Sequence, residues 1–206
     1  MRTALTRPAA LGFRAHSGWA AMVVLGGAAS EPVVLQRRRV QLVKPGIPVQ
    51  PYHAAADMEL QDAERFLRHC AGVARALARS CVGEVLAELA AQGFEAIGSA
   101  VLLSSGRSAG DLASTLASHP AIHTAEGEFF RDALRRGSQA SGLAAGGYKE
   151  RDVWQQAAST IGVPPEELQR RIGNFGKAIG PPWTQDQKLA TLAAWLLLMR
   201  PAQTNP

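Results

Sequence analysis

The sequence predicts an α/β fold: a mixed sheet of about five strands, three antiparallel and then parallel additions, flanked by helices. Three observations predict it. Residues 1–43 hold three strand-like segments separated by glycine-containing breaks. A helical apolar stripe follows, running from Asp57 to Gln92. After it, single strand candidates alternate with helices, and a strand that returns through a helix must add parallel. A length of 206 residues suits one domain. It is read as 1–206, with 151–206 a C-terminal helical portion packing on the sheet.

Residues 10–17 and 18–26 alternate or run apolar and are read as the first two strands. The stretch "GFRAHSGWAAMVVLGG", 12–27, followed by Ala28-Ala29-Ser30, also looks like a secretory signal with a small-residue tail. The strand reading is adopted because Arg14 and His16 adjoin the apolar run, and because cleavage would remove two of the five strands. "PVVLQRRRVQLV", 32–43, is the third strand. Its alternation places Leu35, Arg37, Arg39 and Gln41 on one face and Val34, Val40 and Leu42 on the other. Consecutive arginines suit a sheet edge, where charge blocks unwanted pairing.

Pro45, Pro48 and Pro51 predict a loop over 44–56. Asp57 is read as the cap of the long helix, with its stripe on Leu60, Ala63, Leu67, Cys70, Ala74, Leu77, Cys81, Val85 and Leu89, and Gly93 as its stop. "FEAIGSAVLLSS", 94–105, is a buried fourth strand. Ser108 and Asp111 form a capping box for a helix over 109–117, and Pro120 opens another to about Arg136. "GLAAGGYKE", 142–150, is a fifth strand diluted by glycine. Three helices close the chain, over 151–161, 165–179 and 185–199, the last opened by a Thr184/Gln187 capping box.

The composition, 47% hydrophobic and 19% charged, is that of a folded protein and excludes a disordered or fibrous chain. The net charge of +5 is unevenly placed. Residues 1–44 hold seven Lys/Arg against one acid, Glu31, and the remainder is near neutral. A basic end of this kind is compatible with a polyanion partner, DNA or RNA, and also reads as a solubilising basic edge. Arg37, Arg38, Arg39 and Lys44 are the candidate nucleic-acid-binding residues. Cys70 and Cys81 lie three helical turns apart, some 16 Å along the axis, too far to pair with each other. They are read as buried reduced thiols, which favours the cytoplasm. No apolar run reaches the ~20 residues of a membrane span, so no membrane partner is expected. Walker, GxGxxG, CxxC and GxSxG motifs are absent, and no cofactor is expected.

The order of elements, with Gly12-Phe13, Gly18-Trp19-Ala20 and the closing helix "TQDQKLATLAAWLLL", 184–198, resembles the ribonuclease H-like superfamily, which includes Holliday-junction resolvases. The resemblance implies a nuclease fold whose active members hold two Mg²⁺ ions on a carboxylate cluster. It also implies a departure, because Arg14 stands at the first-strand acid and the fourth strand ends in Ser104-Ser105. Only Asp186 occupies a matching acid position. The expectation is therefore a metal-free, degenerate acidic site in a protein that acts on nucleic acid by binding.

Arg14 and His16 share one strand face. Glu150 ends the fifth strand, and Asp186 opens the last helix. With Glu126 they form the candidate catalytic cluster Arg14, His16, Glu126, Glu150 and Asp186, whose alternating charges stabilise it. Glu126 also falls at helical spacing with His119 and His123. That pattern fits a His/His/Glu metal site. It also fits an internal salt bridge, for example to an arginine, and the ion-pair reading is adopted. Two other functions remain open: an interaction or scaffold protein with a structural ion-pair cluster, and a small-molecule enzyme using Arg14 and His16, since arginine suits bidentate oxyanion recognition.

Overall fold

The computed structural model describes residues 6–104 and 110–200. Five strands form one sheet in the order β3-β2-β1-β4-β5. β1 (Arg7–His16), β2 (Trp19–Gly26) and β3 (Val33–Gln41) make an antiparallel meander. β4 (Phe94–Leu103) adds parallel to β1, and β5 (Ala145–Lys149) adds parallel to β4. The mixed sheet, the three antiparallel strands and the parallel additions are as expected, and the arginine-bearing β3 is an edge. The turn between β1 and β2 needs Gly18, whose φ of 79° is the left-handed region. Residues 12–26 are thus the two strands of a hairpin.

Among the described residues seven α-helices cover the two faces: α1 (Pro51–Ala55), α2 (Leu60–Ala91), α3 (Leu112–Leu116), α4 (His119–Ala140), α5 (Val153–Ile161), α6 (Pro165–Ile179) and α7 (Gln185–Leu198). A 3-10 turn, Glu150–Asp152, joins β5 to α5. On one face α2 and α4 bury Leu11, Phe13, Met22, Val24 and Val101. On the other, α5, α6 and α7 bury Ala10, Val23, Leu25, Ala100 and Leu102. α7 is buried at every residue from Leu189 to Leu198, so its apolar character runs all round the helix. It touches β1 at Gly12, where a Cβ would lie 1.9 Å from the Ala190 carbonyl oxygen.

Several expectations need correction. The loop over 44–56 contains α1, because Pro51 supplies the fixed φ of a first helical position. The long helix begins at Leu60 with Glu59 as its N-cap, so Asp57 lies outside it. Its inward stripe takes Ala78 and Val82 where Leu77 and Cys81 were expected. A straight helix of 3.6 residues per turn rotates the seam by one position over that length. Cys81 is consequently half-buried while Cys70 is buried, and both thiols are free. Leu35 is the extra residue of a bulge in β3, since Val24 pairs with Gln36 and Leu25 with Val34. Leu35 therefore joins the α2 face with Val40 and Leu42, and Val34 turns to the α7 face. Asp111 itself caps α3, accepting from the Ser114 N–H at 2.9 Å. Its expected partner Ser108, and Ser105, lie outside the described residues. The Thr184/Gln187 capping box is present as read. Trp154, Trp183 and Trp195 pack in or beside the core, with Trp195 Nε1 donating to the Ala29 carbonyl at 2.8 Å.

Candidate functional site

The C-terminal end of β1 delivers Arg14 and His16 to the α7 face, on the same side as Gly12. Gly12 lets the α7 backbone come close, and the Thr184 capping box starts the helix there. Asp186 is thereby held in the first turn, where the helix dipole favours a carboxylate. Glu150 arrives from the turn after β5. The Arg14 guanidinium sits between the two acids. Its Nη2 donates to Glu150 Oε1 at 2.7 Å, and Nε reaches both Glu150 oxygens at 3.2 Å. Its Nη1 donates to Asp186 Oδ1, which also lies 2.9 Å from His16 Nε2. The hydrogen bond to Glu150 raises the Arg14 pKa above its ordinary value; partial burial opposes the shift and Asp186 adds to it. For Asp186 burial pushes the carboxyl up, but hydrogen bonds from Arg14 and His16 outweigh it and hold the group below the usual carboxylate range.

The cluster continues across the sheet end. His16 stacks on Trp19, with ring centroids 4.3 Å apart and planes 10° from parallel. Arg39, from the neighbouring strand, lies over the same Trp19 ring at 3.6 Å. A continuous row of Arg39, Trp19, His16, Asp186, Arg14 and Glu150 results, drawn from β3, β2, β1, α7 and the turn after β5. Trp19 was not singled out from sequence as a stacking residue, although the alternation that pairs His16 with it was readable.

The other basic residues are divided by the same alternation. Arg37 turns to the α7 side and donates to the carbonyls of Gly180, Pro181 (2.6 Å) and Pro182 (2.7 Å). Arg38 turns to the opposite side and pairs with Glu88 and Glu84 of α2. Lys44 is exposed beyond the strand. The three arginines are not one surface patch.

Glu126 does not join Arg14. Its position on α4 faces α1, on the other side of the sheet, because the apolar stripe of α4 packs toward α2. Nor does it pair with an arginine among the described residues. Its Oε1 accepts from the His53 backbone N–H at 3.0 Å and lies 3.2 Å from His53 Nδ1. His53 also meets His119 and His123, and one ring nitrogen from each of the three lies within 4.8 Å of the others. His53 escaped the sequence reading because it sits in the proline-rich segment read as loop, 66 or more residues from its partners.

No protein-family model matches the chain, and no curated protein matches it. Solved structures do. Thermus thermophilus RuvC in complex with a Holliday junction substrate superposes with a TM-score of 0.53 at 14% identity, covering 91% of this chain and 90% of that one. A second Thermus thermophilus RuvC structure gives a TM-score of 0.52 at 15% identity, covering 91% and 92%. The chain has the ribonuclease H-like fold. That agrees with the strand order.

Proposed function

We propose that this protein is a nucleic-acid-binding member of the ribonuclease H-like fold that binds without two-metal cleavage, through the row from Arg39 to Glu150. The observation that carries the reading is the Arg14 guanidinium lodged between Glu150 and Asp186. Two-metal hydrolysis needs carboxylates converging on two cations about 4 Å apart, with oxygen ligation around each. A permanently charged guanidinium there repels Mg²⁺ and is already paired with both carboxylates. The residues present do not fit a metal pair, and no step is derived through one.

The same network suits a fixed binding surface. Arg14 locks His16 through the shared Asp186, and His16 supports the Trp19 ring. Trp19 in turn holds Arg39, which is exposed and has no carboxylate partner among the described residues. A guanidinium held over an indole presents a fixed, exposed cation, the kind of group that recognises phosphate. Exposed Lys44 and the basic residues of 1–44 extend the positive field. The resolvase that shares the fold is seen with a Holliday junction substrate, which makes branched DNA the first ligand to try. The two free cysteines fit a cytoplasmic protein. No helix among the described residues is long and apolar enough to cross a membrane.

The test is fluorescence anisotropy on labelled junction, duplex and single-stranded DNA across a salt series, with cleavage assayed in Mg²⁺ and Mn²⁺. Binding should weaken steeply with salt. Arg39→Gln should weaken it similarly on all sequences and reduce the salt slope by about one. No cleavage should appear. Metal-dependent cleavage that is lost in Asp186→Asn, or no salt-dependent binding to any of the three DNAs, overturns the reading. The second result would leave the cluster as an ion-pair pin in a scaffold protein.

A further inference from the structure

A second cluster, unconnected with the Arg14 row, lies between α1 and α4. We propose that His53, His119 and His123 form a binding site for one zinc ion, with the buried Glu126 carboxylate behind His53 as its orienting partner.

The first support is convergence. His119 and His123 are one helical turn apart on α4, so their rings share a face. Their Nε2 atoms are 3.0 Å apart. The His53 ring comes in from α1, its centroid 4.8 Å from His123 and 5.6 Å from His119. Three donors within 4.8 Å of one another approach the spacing of about 3.3 Å that tetrahedral zinc with nitrogen ligands near 2.05 Å requires. The donor type agrees as well. Neutral imidazole suits zinc and its late-transition neighbours, and a set of three nitrogens with no carboxylate ligand does not suit magnesium or calcium.

The second support is independent and lies behind the ligands. The Glu126 side chain is 5% exposed, and no Lys or Arg among the described residues pairs with it. Its Oε2 is buried and has no hydrogen-bond partner. A carboxylate buried in this way is costly unless a positive charge answers it. Its Oε1 accepts from the Nδ1–H of His53, which fixes the tautomer and leaves the lone pair on Nε2 for a metal. A zinc ion on that nitrogen makes the imidazole a stronger donor to Glu126 and brings a dication close to the unanswered charge.

The site has an outward side. His119 and His123 are exposed and His53 is half-buried, so the fourth zinc position faces solvent and is left for water or an anion. A bound ion would also tie α1 to α4.

The experiment uses the untagged full chain, stripped with a chelator and dialysed. Zinc binding is measured by competition against a chromophoric chelator, and Co²⁺ serves as a spectroscopic substitute. Wild type should bind one Zn²⁺ per chain, show the intense visible bands of four-coordinate Co²⁺, and gain roughly 5–10 °C in Tm at a hundredfold excess over Kd. His123→Ala and His119→Ala, both at exposed positions, should weaken Zn²⁺ at least a hundredfold. Glu126→Gln should weaken it about 10- to 100-fold. His69→Ala, on the exposed side of α2, should leave it unchanged. Absence of stoichiometric binding in wild type overturns the proposal, as does wild-type affinity in both exposed-histidine variants. Folding of those two is checked by circular dichroism, so that their loss of metal is read on folded protein.

Discussion

The two polar clusters share one device and differ in what fills it. Each has a carboxylate that holds an imidazole: Asp186 holds His16 and Glu126 holds His53. At the first, a guanidinium lies between two acids and pairs with both, and no buried carboxylate oxygen is left without a partner. At the second, three imidazoles meet and the acid keeps one buried oxygen unanswered. The first arrangement sets a permanent cation against its acids, and the second has none against its acid among the described residues. Acids already paired with a guanidinium have less to gain from a metal ion than lone pairs beside an anion with no cation against it. Location within the fold does not set this; the choice of cation at the centre does.

The contrast can be broken or sharpened by experiment. The largest effect should come from Gly12→Ala, because the new methyl meets the α7 backbone at Ala190 and Ala194, which cannot yield as a side chain would. We expect a loss of about 3–5 kcal/mol in denaturant unfolding. A variant within about 1 kcal/mol of wild type would show that α7 has slack against β1, and that Asp186 is not rigidly presented.

Arg14→Met comes next. It leaves Glu150 without its guanidinium and Asp186 with only His16, at a cost of about 2 kcal/mol, reduced from the fully buried case because all three groups are partly exposed. Adding Asp186→Asn to Arg14→Met should cost less than the sum of the two single changes. Strict additivity would mean that the cluster is not the closed unit described.

The smallest effect is in acid. In the folded chain the Asp186 carboxyl titrates below its unfolded value of about 3.9. Its contribution to stability is therefore fully present above that value and is lost as pH falls through the lower folded one. Stability measured between pH 5 and pH 2 should fall less steeply in Asp186→Asn than in wild type. An identical slope would remove Asp186 from the acid response.

Local pattern and long-range pairing divide what could be read beforehand. Strand and helix types followed from period and breakers, and the cluster of Arg14, His16, Glu150 and Asp186 followed from placing strand ends and the capped last helix together. Leu35 was misplaced because a bulge shifts alternation by one, and its cause lies in the pairing with β2 rather than in β3 itself. The arginine run looked like a patch because alternation was not carried through to the partners: Arg37 stitches the segment before α7, and Arg38 braces α2. Glu126 was assigned to the wrong face. Its partner, His53, lies 73 positions earlier, in a segment whose prolines conceal a short helix. An unpaired acid on an apolar helix face was the visible sign, but nothing local to it names the residue that answers.

The seam between Gly12 and Ala190 bears on how the chain is made. β1, β2 and β3 are translated about 7 to 30 s before α7, the helix that covers one side of them, at 5–20 residues per second. During that wait Ala10, Val23 and Leu25 have no cover from α7. That apolar side of the sheet is then open to contact with other chains. Fragments that stop short of residue 198 should aggregate.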